Sequence, residues 1–308
     1  GIKLFSAYRG MKPLPSDDSR LTRFILSQKY SAIKNVSLKG KRKDCRGNAL
    51  ELFSGFTLAP ENSWIDESIN FKNVVLVVDP TNGSLTGIAK KIFTQAGVGK
   101  VFEVNGKLNG DVNVFSGVAD LEGRDRITAE QIKNPGGYFY RHKAVVKLFE
   151  VGRKHKSSLR KGIMRAVATI FDADADRFFM LEYDPFKDLL WVLSGDETAI
   201  LQAKHLSTQF PEKYKGSLYI NTVESDLNAA IAAEKMGLKS ELTAVGDKWI
   251  LLKILLRQLE QKSKDRDCPK QKRLVFQCEA KKLKKTGITS IASLKKLARI
   301  LGEKSEQK

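Results

Sequence analysis

Three aspartates and an arginine are the residues of this chain whose types and spacing could do chemistry. Asp172, Asp174 and Asp176 alternate with alanine directly after an apolar run, and Arg177 follows them in the string FDADADR. Carboxylates this close repel one another unless a cation lies among them. Oxygen ligands alone favour a hard ion, either Mg²⁺ or Ca²⁺. An arginine beside them is suited to holding a phosphate next to the metal.

Other motifs with related patterns fit less well. An EF-hand also begins with alternating aspartates, but it then requires Gly and, at the end of its loop, a bidentate Glu. Arg177 and Tyr183 occupy those places here. No HExxH zinc pattern occurs, and Gly83 and Gly87 fit neither GxGxxG nor the P-loop pattern. On the string alone, an acidic cluster that faces water at the end of a strand remains an alternative.

Alternating strands and helices are predicted to position the aspartates. The continuous apolar run 74–78 is typical of a strand buried on both faces, and Ile88, Ala89, Ile92 and Phe93 form one face of a helix after it. The string RAVATIF predicts a strand that ends at the aspartates, and DLLWVL predicts another strand, followed by a helix. A further cycle of strands and helices covers 215–255. This order predicts an α/β protein with mainly parallel sheets.

The composition limits the partners and the compartment. The chain has 308 residues, which predicts two or three domains, and a net charge of +19, which favours nucleic acid or phosphorylated metabolites as partners. Solvated helix faces and a polar tail are the simpler explanation of the charge. Three scattered cysteines indicate a reducing cytoplasm, and the apolar runs are too short for a membrane helix. Because the chain begins without Met, we expect it to be processed or incomplete.

Several motifs together resemble one family. FDADADR, LSGDETA, INTVESDL and VGDKWI, in this order and spacing, are similar to the α-D-phosphohexomutase superfamily, which includes phosphoglucomutase/phosphomannomutase and phosphoglucosamine mutase. The family's metal loop usually reads D-G-D-[AG]-D-R. VVLVVDPTNGSLTGIAKKIF resembles the start of its second domain, and the first 26 residues resemble the segment after its catalytic serine loop. The resemblance covers roughly 1–30 and 70–257.

The resemblance implies a fold of two consecutive phosphohexomutase-type α/β domains with mainly parallel mixed sheets. It places a short N-terminal remnant before them and a basic helical tail after them. The expected bounds are 1–35 for the remnant of the first domain, 36–155 for the second domain, 156–262 for the third domain with the metal loop, and 263–308 for the tail.

The resemblance also implies a reaction. Family members move a phosphate between the C1 and C6 hydroxyls of a hexose through an enzyme phosphoserine, with Mg²⁺ as the cofactor and a hexose phosphate as the substrate. Asp172, Asp174 and Asp176 match the family's metal ligands. Arg177 matches the arginine that accompanies the phosphoserine.

Two lysines match family positions less specifically. Lys3 falls where the family keeps an active-site lysine in its N-G-x-K segment, and it is a candidate for proton transfer or phosphate stabilisation. Lys248, in the GDK turn, is a candidate for binding the substrate phosphate. A frayed terminal lysine and a solvated turn lysine are the alternative interpretations.

The chain departs from the family in several places. The serine-bearing T-A-S-H-N-P loop, the sugar-selecting G-E-x-S-G loop and the phosphate-binding R-x-S-G-T loop are not found in this sequence. We therefore expect an internal piece of a mutase that does not turn over substrate by itself. Ala173 stands where the family usually has Gly, and if that position requires a positive φ, alanine costs on the order of 1 kcal/mol.

The tail and the overall charge leave other hypotheses open. Residues 286–304 predict a helix with Ile291, Leu294, Leu297 and Leu301 on one face, which favours packing against a core. The more specific interpretation is a basic amphipathic helix that binds a membrane surface or nucleic acid. A non-catalytic basic α/β protein that binds nucleic acid, or a degenerate mutase relative kept as a scaffold, are the alternatives to a phosphohexomutase. The basic stretches contain few aromatic residues, which ranks nucleic acid second.

Overall fold

Alternating helices and strands make up most of the computed structural model, which describes residues 4, 12–34, 43–63 and 69–286. The helices are α1 Pro15–Ser27, α2 Tyr30–Lys34, α3 Arg46–Leu58, α4 Pro60–Ser63, α5 Ile88–Gln95, α6 Tyr138–Arg141, α7 Lys143–Lys154, α8 Lys156–Arg160, α9 Gly195–Gln209, α10 Pro211–Tyr214, α11 Leu227–Lys235, α12 Asp247–Lys264 and α13 Lys270–Thr286. The strands are β1 Val74–Asp79, β2 Lys100–Glu103, β3 Arg126–Thr128, β4 Arg165–Phe171, β5 Phe178–Asp184, β6 Leu189–Leu193, β7 Leu218–Thr222 and β8 Lys239–Thr243. No helix among these described residues is both long enough and apolar enough to cross a membrane.

Six strands form one mixed sheet in the order β2-β1-β4-β5-β6-β3. Strand β1 pairs in parallel with β2 and with β4, and Asp79 lies opposite Ile170. The pairs β4–β5, β5–β6 and β6–β3 are antiparallel. The predicted α/β class is confirmed, and Val75–Asp79 are buried as the continuous apolar run indicated. The predicted mixed character is also confirmed, although three of the five strand pairs of this sheet are antiparallel.

Helix α7 covers one face of this sheet and forms much of its core. Its buried residues recur at helical spacing, with Val145, Leu148 and Phe149 facing the strands. Gly152 allows close approach, because a Cβ at this position would lie 2.3 Å from the ring of Tyr183 on β5. The helix thereby fixes β1, β4 and β5 relative to one another.

A second unit contains the smaller sheet. The chain divides into 42–205, which holds the six-stranded sheet, and a unit made of 1–41 together with 206–308. In the second unit, β7 and β8 pair in parallel, and α11 buries alanine side chains. Helix α13 packs against α12, and their apolar cluster includes Leu14, Leu259, Phe276 and Ala280.

This division differs from the predicted domains. The predicted boundary between 155 and 156 falls inside the six-stranded unit, because β4 pairs directly with β1 on the other side of it. The segment 156–205, which includes the aspartate loop, therefore lies with 42–155 rather than with the residues up to 262. The predicted basic tail contains α13, a packed helix, up to Thr286. The helix predicted within 286–304 lies almost wholly outside the described residues.

Candidate metal centre

The loop between β4 and β5 brings the three predicted aspartates together. Asp172, Asp174 and Asp176 each offer a carboxylate oxygen, and these oxygens all lie within 4.8 Å of one another. Asp172 is buried, whereas Asp174 and Asp176 are exposed. Strand β4 has a partner on both sides, so the loop begins from a fixed position in the middle of the sheet.

The backbone of the loop turns tightly to bring the carboxylates close. Asp172 donates its N–H to the carbonyl of Arg177 at 3.2 Å, and Ala175 donates to the carbonyl of Asp172 at 3.1 Å. Ala175 has φ +61°, the left-handed conformation that costs an alanine about 1 kcal/mol. The free-energy cost expected for a positive φ at Ala173 does not arise, because the positive φ of this loop belongs to Ala175.

The turn after β1 supports the aspartate loop from the neighbouring strand. Ser84 donates its N–H to the carbonyl of Ala173 at 2.9 Å. Gly83 lies so close that an added Cβ would be 2.3 Å from that carbonyl oxygen. Sequence reasoning missed this role, although a glycine in the turn after a fully buried strand was a usable signal.

Arg177 closes the loop through charged hydrogen bonds. Its backbone N–H donates to Oδ1 of Asp172 at 3.2 Å, and its Nε donates to Oδ2 of the same carboxylate at 3.1 Å. The guanidinium also donates to Glu122 at 3.3 Å, a partner that lies too far away in sequence to be predicted. The hydrogen bond with Asp172 raises the pKa of Arg177 above its usual value. The guanidinium remains largely exposed beside the carboxylates, where an anion could reach it.

The donor set fits a hard divalent cation. Opposite oxygens around Mg²⁺ are about 4.2 Å apart, and around Ca²⁺ they are about 5 Å apart. Oxygens that lie within 4.8 Å of one another can therefore surround Ca²⁺ as they stand, or Mg²⁺ after a small inward movement. The three aspartates would hold the ion, and water or a phosphate oxygen would complete its coordination.

The two predicted lysines are not part of this loop. Lys248 lies in the other unit, near the start of α12, where its Nζ is 2.9 Å from Oδ2 of Asp18. A second ion pair, between Lys12 and Asp247 at 2.6 Å, lies beside it, and these residues line a cavity of about 370 Å³. Lys248 is thus already paired with a carboxylate, and its substrate role stays a prediction. Lys3 lies outside the described residues.

Comparison with known proteins identifies the class. Residues 194–259 match the family model described as phosphoglucomutase/phosphomannomutase, alpha/beta/alpha domain III. This match begins after Arg177, so the aspartate loop precedes the matched segment. Together with the relatives described next, it confirms the predicted recognition: the chain is a relative of the α-D-phosphohexomutase superfamily.

Among curated relatives, phosphoglucosamine mutases recur. The enzyme of Caldicellulosiruptor saccharolyticus is 24% identical over 259 residues, which cover 83% of this chain and 47% of that protein. The enzyme of Lactococcus lactis is 25% identical over 185 residues, which cover 59% of this chain and 32% of that protein. The chain thus spans about half or less of the length of these relatives.

Solved structures show a weaker likeness. A phosphoglucomutase/phosphomannomutase family protein from Burkholderia thailandensis has a TM-score of 0.42 at 18% identity, covering 71% of this chain and 36% of that one. An N-acetylphosphoglucosamine mutase from Aspergillus fumigatus, solved with glucose 1,6-bisphosphate, also has a TM-score of 0.42 at 17% identity, covering 69% of this chain and 34% of that one.

Proposed function

We propose that this chain provides the metal-binding part of a phosphohexomutase. In this proposal, Asp172, Asp174 and Asp176 hold Mg²⁺, and the ion would coordinate the phosphate of a hexose phosphate. The observation that carries the proposal is the approach of three carboxylate oxygens to within 4.8 Å, beside an arginine. Relatedness to phosphoglucosamine mutases supports the choice of substrate class. We also propose a cytoplasmic location, for which the scattered cysteines of the sequence are the ground.

Each residue of the loop has a distinct part in the proposal. Asp172 is fixed by the backbone N–H of Arg177, so one of its oxygens keeps its orientation when the other accepts a new partner. When bound, the ion neutralises charge on the phosphoryl oxygens. Arg177 donates its exposed N–H groups to the same phosphate, in the bidentate manner for which guanidinium is suited.

The lysines enter only through the family resemblance. Lys248 would exchange its carboxylate partner, Asp18, for the substrate phosphate, and Lys3 would transfer a proton or stabilise phosphate. Because the serine loop is not found in this sequence, we expect these 308 residues to bind substrate without turning it over.

A binding experiment tests the proposal. Glucose 1-phosphate is titrated into the full chain with Mg²⁺ and with EDTA, and Mg²⁺ is expected to add a binding site that is absent in EDTA. Arg177→Gln should weaken the affinity roughly tenfold, since a charged hydrogen bond is lost. Arg165→Gln is the matched control, because Arg165 is also ion-paired and equally exposed but lies at the other end of β4. Binding that is the same with Mg²⁺ and with EDTA, or equal losses in both variants, would contradict the proposal.

Nucleic-acid binding is a second candidate, favoured by the charge. The chain carries 54 Lys and Arg against 35 Asp and Glu, and α13 alone has seven Lys or Arg residues and one Glu. Binding of this kind predicts an affinity for double-stranded DNA that falls steeply with salt. An affinity that is weak at 50 mM salt and unaffected by further salt would exclude this candidate.

A further inference from the structure

A second polar cavity lies at the carboxyl ends of β1 and β2, apart from the aspartate loop. Its volume is about 480 Å³, and its walls come from the turn after β1, the long loop after β2 and the start of α7. Asn82 lines this cavity, whereas the next two residues, Gly83 and Ser84, contact the aspartate loop. One short turn therefore separates the two sites. The carboxyl ends of parallel strands are where α/β proteins most often bind ligands.

Three cationic side chains line this cavity: Lys107, Arg141 and Lys143. Within the part of the chain that the structure describes, none of the three forms an ion pair. The guanidinium of Arg141 lies over the ring of Phe115, 5.0 Å from its centroid, and this contact orients it without neutralising its charge.

The two carboxylates of the wall already have donors. Glu103 accepts the backbone N–H of Gly87 at 3.2 Å, and Asp111 accepts the side-chain amide of Asn109 at 2.7 Å. Their charge is thus partly satisfied on the protein side. The three cations are the groups of the wall that remain available to an anionic ligand.

Buried polar residues fix the base of the cavity. Asp79 is fully buried and accepts hydrogen bonds from the backbone N–H of Thr81 at 2.8 Å and from the amide of Asn105 at 3.0 Å. Its burial raises its pKa to about 6, while the charge of Lys143 acts in the opposite direction. Asn105 is itself 8% exposed and lines the cavity. The base is therefore built from hydrogen-bonded groups rather than from loose surface side chains.

Backbone strain concentrates around the same cavity. The described residues include seven non-glycine positions with positive φ, and five of them lie in the loops that form or support this cavity. They are Thr81, Asn82, Asn105, Asn113 and Phe115. Such conformations cost free energy and occur preferentially where a loop must hold a ligand.

We propose that this cavity binds a small phosphate monoester, with its phosphate between Lys107, Arg141 and Lys143 and its hydroxyl groups on the asparagine amides of the wall. Three unpaired cations match a dianionic phosphate, and the volume admits a molecule of a few carbons. This site is independent of the aspartates, of a metal ion and of the proposed mutase function.

The test is a titration of the full chain, in EDTA, with inorganic phosphate and with glycerol 3-phosphate. We expect saturable binding of both, with the ester binding more tightly because it also reaches the amides. Lys143→Gln should weaken the binding about tenfold, as loss of one charged contact to phosphate implies. Lys154→Gln, at the other end of the same helix and exposed, is the control and should bind like the wild type.

Further variants separate this proposal from its alternatives. Arg141→Gln should repeat the loss if Lys143→Gln folds poorly. Equal weakening by Lys154→Gln would indicate diffuse attraction to a basic surface and would overturn the proposal. So would wild-type affinity in both cavity variants.

Discussion

The two units place their candidate groups on very different supports. The aspartate loop follows β4, which has hydrogen-bonded neighbours on both sides, whereas Lys248 follows β8, whose one partner among the described residues is β7. Among the residues that the structure describes, a cluster of 21 buried residues lies behind the first support, and the principal cluster of the second unit contains four. The larger cluster gives the aspartate loop a firmly packed base, on which hydrogen bonds within the loop bring the carboxylates together.

The contrast shows two ways of positioning charged side chains. Asp172 is held by the backbone N–H of Arg177 as well as by its guanidinium, and a neighbouring turn braces the loop, so its position does not rest on an ion pair alone. Lys248 is held by its ion pair with Asp18, and partly exposed pairs of this kind contribute little to stability. A metal loop that is ordered before the ion binds would need the first type of support. A lysine that exchanges its carboxylate for a phosphate would need the second type.

The largest expected effect tests whether the two supports are independent. Phe149→Ala removes a fully buried ring from the first core and should destabilise that unit by about 3–5 kcal/mol. Phe276→Ala, in the smaller cluster, should act on the second unit and cost less, because a small cluster can collapse around the gap. Peptide-resolved hydrogen exchange measures both.

The pattern of exchange decides the comparison. We expect Phe149→Ala to speed exchange in β1, β4 and β5, and Phe276→Ala to speed it in α12 and α13. If either variant speeds exchange equally in all these elements, the chain unfolds as one block, and the contrast between two supports fails.

A smaller effect is expected at the turn that braces the metal loop. Gly83→Ala places a methyl group against the carbonyl of Ala173, which should cost about 1–3 kcal/mol and shift the loop. Mg²⁺ binding should weaken, although no ligand is changed. Gly55→Ala, in α3 with open space around it, is the control and should raise stability slightly, because Ala favours a helix over Gly, while metal binding stays the same.

Calorimetry and thermal melting of both variants check this prediction. Wild-type Mg²⁺ affinity in Gly83→Ala, despite a lower melting temperature, would mean that the brace stabilises the fold without organising the site.

Local patterns made much of the first unit predictable. The apolar run of β1, the string RAVATIF of β4 and the helix after Leu193 each appear at or near their predicted places. That the three aspartates come together was predictable, because repelling carboxylates at this spacing favour a cation among them; that they bind one stays a prediction. Strand β5 was not predicted, and β6 was predicted without the direction of its pairing. No local signal shows whether a strand pairs in parallel or antiparallel.

Long-range contacts account for the rest. The pairing of β1 with β4 joins residues about ninety positions apart, and no local pattern reveals it, so the predicted boundary at 155 fell inside one sheet. Glu122 as a partner of Arg177 and Ser84 as a brace of Ala173 have the same origin. The residue types of the loop were enough to propose a metal site there. The residues that brace the loop depend on tertiary structure and could not be predicted from local patterns.

Mg²⁺ titration calorimetry of the wild type, Asp174→Asn and Asp125→Asn tests the central claim most directly. Asp125 is an exposed carboxylate of the same unit that does not belong to the cluster. The wild type and Asp125→Asn should bind one Mg²⁺ with the same affinity, and Asp174→Asn should bind it several-fold more weakly. Equal affinity in all three proteins would contradict a metal site at these aspartates.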